Sequence, residues 1–283
     1  MECFFVTDLH GASEKYKKLF RQIEKDKPQV VFIGGDLLAH GFFNKDSASA
    51  DFITDVLTQG CRKLKSQLGS AYPHIFIIMG NDDPKSEEPL LLKYDEEGLW
   101  HYCNERKIEL DAFTVFGYCY VPPSPFLLKD WERFDISRFV DIGCVPPTEG
   151  YHSTKFSLTE VENATIAEDL ANLTQDCDLS KSVFLFHAPP YDTGLDRAAL
   201  DGKSIDYAPL DVHVGSIAIR RFIEEKQPLI TLHGHVHESF QLTGIWKQNL
   251  GRTTCLSAVG LGKPLILIKF NPENPSAAQR LSI

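Results

Sequence analysis

Five short apolar runs in this chain each lead straight into residues that can ligate a metal. Cys3-Phe4-Phe5-Val6 runs into Asp8 and His10, Val30-Val31-Phe32-Ile33 into Asp36, and Ile75-Phe76-Ile77-Ile78-Met79 into Asn81. Val183-Phe184-Leu185-Phe186 leads to His187, and Leu229-Ile230-Thr231-Leu232 to His235 and His237. Runs this short, rich in β-branched and aromatic residues and followed by turn residues, read as buried strands. Between them the apolar spacing is helical. Ser13 opens a helix with Tyr16, Leu19, Phe20 and Ile23, and others are expected over 47–68 (Phe52, Ile53, Val56, Leu57), 160–171 and 216–226. Strands and helices that alternate in this way define an α/β fold, whose ligands bind beyond the carboxyl ends of the strands. Five strand ends should therefore surround one site.

The inventory at those ends is two carboxylates (Asp8, Asp36), one carboxamide (Asn81) and four imidazoles (His10, His187, His235, His237). Borderline transition metals favour imidazole nitrogen, and carboxylate and amide oxygens add hard donors. One Asp can place its oxygens on two ions at once, and Asp36, in the middle of the set, is the natural bridge. Two cations about 3.5–4 Å apart can clamp a phosphoryl group and lower the pKa of the water between them. The chemistry indicated is metal-assisted hydrolysis by a bridging hydroxide. Gly34, Gly80 and Gly234 precede ligands, where a residue without Cβ lets the chain turn sharply or approach a metal closely.

Asp8-Leu9-His10, Gly34-Gly35-Asp36, Gly80-Asn81-Asp82-Asp83, His187 and Gly234-His235-Val236-His237 resemble the calcineurin-like metallophosphoesterase family in type and order. The resemblance runs from residue 8 to residue 237. It implies a four-layer α/β/β/α sandwich of two mixed sheets, an α/β fold in which residues 1–283 form a single phosphoesterase domain. Thr253 to Ser257 and Leu265 to Phe270 would then be strands of the second sheet. One metal would be held by Asp8, His10, Asp36 and His237, and the other by Asp36, Asn81, His187 and His235. Mn, Fe and Zn all suit the ligand mix. The implied substrate is a small-molecule phosphate ester or nucleotide, with phosphodiesters favoured.

Two positions depart from the family pattern. Asp82 stands where family phosphatases carry the His that contacts phosphate and protonates the leaving group. An ordinary Asp, with a pKa near ~3.9, is ionised at pH 7 unless burial or neighbouring carboxylates such as Asp83 raise it. His213, just before Ser216 and the helix it caps, is the other candidate acid; the amides of that helix would favour an anion. The resemblance also admits a different function class. The family includes a retromer subunit that lacks the acid histidine and uses the fold for protein contacts, so a metal-binding interaction module with a protein partner is the alternative. Second, Ser257-Ala258-Val259-Gly260 stands where many relatives have Asn-Pro-Gly-Ser. His74, His101 and His152 read as structural, His233 as lying behind the ligands or in the core, and His40 as a loop residue or part of the cleft wall.

At 283 residues the chain can bury a sizeable core, and no apolar run approaches the ~18 residues of a membrane span. The segment Met1-Glu2-Cys3-Phe4-Phe5-Val6-Thr7-Asp8 has no basic stretch, and a cleaved signal peptide would remove Asp8. Seven Cys without a Cys-x-x-Cys pair suit a reducing compartment, so a cytoplasmic location is expected. A net charge of −10 argues against nucleic-acid backbone as a partner. Two divalent cations would outweigh Asp8 and Asp36 and leave the site itself attractive to phosphate. Residues 119–158, with Pro122, Pro123, Pro125, Pro146, Pro147, Trp131, Phe134 and Tyr151, show little periodicity and are expected to form an insertion or cap near the site.

Overall fold

The computed structural model describes residues 1–39, 52–110 and 113–283. Two six-stranded mixed sheets lie face to face between helices. The first carries β14 (Gln279–Ser282), β13 (Ile266–Phe270), β1 (Cys3–Val6), β2 (Val30–Gly34), β3 (His74–Ile78) and β4 (His101–Tyr102), in that order. The second carries β11 (Lys247–Leu250), β12 (Thr253–Ser257), β10 (Ile230–His233), β7 (Ser182–Phe186), β6 (Thr114–Tyr118) and β5 (Lys107–Glu109). A small hairpin, β8 (Ser204–Ile205) with β9 (Ala208–Pro209), stands apart from both.

β1, β2 and β3 are parallel and in register, with Phe5 opposite Phe32 and Phe32 opposite Phe76, so their carboxyl ends finish together. β7 and β10 do the same in the second sheet, with Leu185 opposite Leu232. These are the strands that carry the seven candidate ligands. Buried on both faces, they read as continuous apolar runs. Phe32 stacks on Phe76 at 5.5 Å and Phe116 on Phe184 at 4.7 Å, within one apolar core that draws on both sheets. Each fully buried Phe contributes about 1.5–3 kcal/mol over its exposed state, which makes the strand ends a rigid support.

Helix forms in all four expected places, with local differences. Ser13–Asp26 buries Tyr16, Leu19 and Ile23, and ends at Lys27, whose φ of 51° lets its N–H return to the Ile23 carbonyl. The segment expected at 47–68 is a π turn, Ile53–Thr58, followed by the helix Gln59–Leu68; residues 47–51 lie outside those described, as does His40. The helix expected at 160–171 is two, Leu158–Asn163 and Ile166–Leu173, because Thr165 takes an extended conformation and caps the second through the Glu168 N–H. Ser216 caps Ile217–Lys226 as expected, with Oγ accepting from the Ile219 N–H at 3.0 Å. The anion at that helix end is a protein carboxylate: Asp135 accepts from the Ile217 N–H at 2.6 Å and from Ser216 Oγ. No helix of the described residues is long and apolar enough to cross a membrane.

One strand sits in the other sheet. Thr253–Ser257 belongs to the second sheet as expected, whereas the run ending at Phe270 crosses to the first and pairs antiparallel with β1, Cys3 opposite Phe270. Its alternate side chains complete the core beside Phe32, with Phe270 stacked at 5.9 Å. Pattern alone could not choose between two sheets that each had an open edge.

Residues 119–157 are largely irregular but are pinned at both ends of the site's surroundings. Asp130 accepts from the Lys85 N–H, just after Asn81-Asp82-Asp83, and from the Ser153 N–H; Asp135 holds the helix described above. Inside the segment Lys129 and Glu132 form a fully buried ion pair at 2.5 Å, with Glu132 also accepting from Ser124. Burial pushes Glu132 up to about 7 and Lys129 down, so desolvation outweighs their attraction. Removing one partner strands the other charge, at a cost of about 3–5 kcal/mol. Glu132→Ala should therefore lower unfolding free energy by roughly that much in urea titration; a loss below about 1 kcal/mol would mean the segment does not depend on the pair.

Candidate metal centre

The loops that leave β1 and β2 are zipped together backbone to backbone. Asp8 N–H donates to the Gly35 carbonyl, His10 N–H to the Asp36 carbonyl at 2.8 Å and Gly11 N–H to the Leu37 carbonyl at 2.8 Å. Within this ladder φ is 56° at Asp8, 46° at His10 and 50° at Asp36, and outside it His235 has a φ of 73°. Left-handed backbone at non-glycine residues costs of order 1–3 kcal/mol each and persists where the surroundings over-determine it. Gly80 and Gly234 serve close approach rather than turning. A Cβ on Gly80 would lie 2.3 Å from Asp36 Oδ1, and one on Gly234 would lie 2.6 Å from Asp8 Oδ2.

Asp8, His10, Asp36 and His237 each point one ligand atom inward, all within 4.8 Å of one another. His10 Nε2 and His237 Nε2 are 2.9 Å apart, and His237 Nε2 is 3.0 Å from Asp8 Oδ1. Beside them is a second convergence. His187 Nδ1–H donates to the Gly34 carbonyl at 2.8 Å, so in the neutral ring Nε2 carries the lone pair. That nitrogen faces Asn81 Oδ1 at 3.1 Å and Asp36 Oδ2 at 3.3 Å, both acceptors. Asn81 is held in this orientation by its Nδ2–H donating to Asp82 Oδ1. His235 donates its backbone N–H to Asp8, at 3.1 Å to Oδ1, and its ring lies edge-on to His187 at 5.4 Å between centroids. Acceptors that face acceptors require a cation or an extra proton among them.

The electrostatics carry the same signature. Burial would raise Asp8 and Asp36, yet the histidines facing them hold both well below the usual carboxylate range. Burial disfavours a charged His187, but Asp36 overcomes it and pushes the ring up to about 10, so a proton takes the position that suits a cation. His235, buried and facing His187, is pushed down to about 4 and keeps a free lone pair. Imidazole Nδ1 bonded to a backbone carbonyl is the arrangement that orients a metal-ligating His. The donor set fits divalent metals.

Asp82 is brought into this centre. Its N–H donates to Asp36 Oδ1 at 2.9 Å and its Oδ2 lies 3.7 Å from His10 Nδ1. Burial, then Asp36 and Asp83, push its carboxyl up to about 8. His213 is engaged elsewhere: Nδ1 meets Asp196 Oδ1 at 2.8 Å and Nε2 lies 3.7 Å from Asp192. His233 is a buried neutral ring, pushed down to about 4 by burial, whose Nδ1–H donates to the Ala188 carbonyl right behind His187. His74 and His101 sit 3.3 Å apart at the amino ends of β3 and β4, the opposite end from Asn81. His152 bonds the Pro147 carbonyl.

Sequence reasoning gave Asp83 no structural role. Its carboxylate accepts three backbone N–H groups, from Leu37, Leu38 and Gly80, and so locks the loop of Asp36 to the loop of Asn81. Its place directly after Asp82 was the only available signal. Lys15 was also passed over; its ammonium donates to the Asp8 carbonyl at 3.1 Å.

Known proteins resemble this chain in sequence and in fold. The sequence matches the calcineurin-like phosphoesterase family over residues 1–239. An uncharacterised protein of Methanocaldococcus jannaschii is 36% identical over 243 residues, covering 84% of this chain and 81% of that protein. The crystal structure of TT1561 of Thermus thermophilus superposes with a TM-score of 0.56 at 13% identity, covering 99% of this chain and 98% of that one. A dimetal phosphatase of Danio rerio does so with a TM-score of 0.51 at 11% identity, over 95% and 92%. At such identities these two structures are similar in fold. Metallophosphoesterases use divalent metals to hydrolyse phosphate esters, and the Asp8, His10, Asp36 and His237 cluster is a candidate site for one. The chain belongs to the calcineurin-like phosphoesterase family.

Proposed function

We propose that this protein hydrolyses phosphodiesters of small molecules at a dinuclear metal centre. Asp8, His10, Asp36 and His237 would hold one ion and Asp36, Asn81, His187 and His235 the other, with Asp36 common to both sets. The observation that carries this reading is His187: with Nδ1–H committed to Gly34, its Nε2 faces two oxygens, one of them from Asp36, which also faces His10 at 3.8 Å. A shared carboxylate between two imidazole-lined positions is the donor pattern of a bridged pair. The Danio rerio structure is of a dimetal phosphatase, which supports the count of two.

Two such cations supply Lewis acidity to the phosphoryl oxygens and lower the pKa of the attacking water. The chain's own residues do the rest. The core-buried strands keep the donors within narrow positions, and Asp83 keeps the Asp36 and Asn81 loops from separating. Asp82 is the general acid. Burial and the neighbouring carboxylates Asp36 and Asp83 raise its carboxyl to about 8, and its contacts with His10 and Asp36 put it at the site, whereas His213 is tied to Asp196. A carboxyl in place of a histidine also offers no positive charge to the second charge of a monoester, which favours a monoanionic diester.

Three measurements test this reading. Asp36→Asn or His235→Ala should abolish binding of a metal pair, read by elemental analysis of purified protein; two ions per chain in both variants would contradict the ligand assignment. Hydrolysis of bis(4-nitrophenyl) phosphate with Mn should outrun that of 4-nitrophenyl phosphate, and the reverse order would contradict the diester preference. Asp82→Asn keeps the shape but removes the proton donor, so it should slow alkyl diesters by ~10²–10⁴-fold and nitrophenyl esters far less. If that variant keeps both metals without any loss while His213→Ala stops the reaction, the acid is His213. Background rates throughout, with metals bound, would favour an interaction module.

A further inference from the structure

A cavity of about 700 Å3 opens beside Asp8, His10 and His237, within the range of about 300–1,000 Å3 found for small-molecule sites. The first turns of the helix Ser13–Asp26 and the loop 260–263 also line it. Three ammonium groups belong to that lining, Lys15, Lys18 and Lys263, against one carboxylate besides Asp8, Glu14, which is paired with Lys17, in a chain whose 39 acidic residues outnumber its 29 basic ones. Lys15 donates to the Asp8 carbonyl and Lys18 to the Ile283 carbonyl at 2.9 Å. An ammonium has three donors, so each keeps capacity for a further acceptor. Leu261, half-exposed between Gly260 and Gly262, offers an apolar surface at the same cavity.

None of this is needed to bind a lone phosphate, which the metal ligands already serve. Positive charge collected in a concave region of an acidic protein concentrates anions there. We propose that the cavity receives the remainder of the substrate, and that this remainder carries a second anionic group. Lys18 and Lys263 hold that group, and an apolar body between the two phosphates lies on Leu261. The chemistry is that of a phosphodiester whose far end carries a second phosphate, as in a dinucleotide with a terminal phosphate. This rests on the phosphoesterase reading above and adds to it a substrate class set by residues outside the metal centre.

The test is calorimetric binding of the diadenylate ApA and of its 5′-phosphorylated form pApA to the Mn-loaded protein. The phosphorylated dinucleotide should bind about tenfold tighter, the value expected of one charge-assisted contact. Lys18→Ala with Lys263→Ala should reduce that preference to within about twofold, and Lys263→Gln alone, on the exposed loop, should reduce it in part. Equal affinity for the two dinucleotides in the natural chain, or a preference that survives the double substitution, would overturn the proposal. Failure of the phosphoesterase reading is separately visible, as absence of bis(4-nitrophenyl) phosphate hydrolysis while the binding preference persists.

Discussion

Between the carboxyl ends of β1, β2 and β3 and those of β7 and β10, the fold crowds lone pairs against one another. His10 Nε2 meets His237 Nε2 at 2.9 Å, and His187 Nε2 meets Asn81 and Asp36 oxygens at 3.1 and 3.3 Å. At His187, whose Nδ1–H is committed to Gly34, this is repulsive unless positive charge sits among the donors, and burial prevents water from screening it. The carboxylates that would favour a cation also favour a protonated ring, which is why, despite burial, Asp36 raises His187 to about 10 and Asp8 raises His237 as well. Much of the surrounding structure reads as a means of holding these donors together against their own repulsion.

The means are mostly backbone. Strands with Phe on both faces fix where each loop begins, and the ladder from Asp8 to Leu37 fixes where it goes. Carboxylates then staple loop to loop through main-chain amides. Asp83 does so between the Asp36 and Asn81 loops, Asp196 within the loop after His187, and Asp130 and Asp135 between the 119–158 segment and its neighbours. Each staple accepts two or more N–H groups, and a buried carboxylate so bonded is tolerated where a lone one is not.

The ligand-bearing strands and the helices after them could be read from sequence because parallel strands buried on both faces are uniformly apolar and stop abruptly at polar turns. Thr114–Tyr118, which pairs with β7, carried a Gly at 117 and followed a weak edge strand, so nothing marked it as central. The sheet to which Leu265–Phe270 belongs depends on which edge is free after all the other strands have paired, a global property that no local pattern contains. The staples were illegible for a similar reason: an Asp that accepts amides from a distant loop looks like any surface Asp. Asp82 was visible as a departure from pattern, but its environment, buried beside Asp36 and Asp83, came only with the fold.

The central claim is that the crowded donors hold two cations bridged by Asp36. Anomalous diffraction from crystals grown with Mn tests it most directly. The account predicts two peaks about 3.5–4 Å apart, both within bonding distance of Asp36, one flanked by His10 and His237 and the other by His187 and His235. A single peak, or a pair that leaves Asp36 unligated, would contradict it.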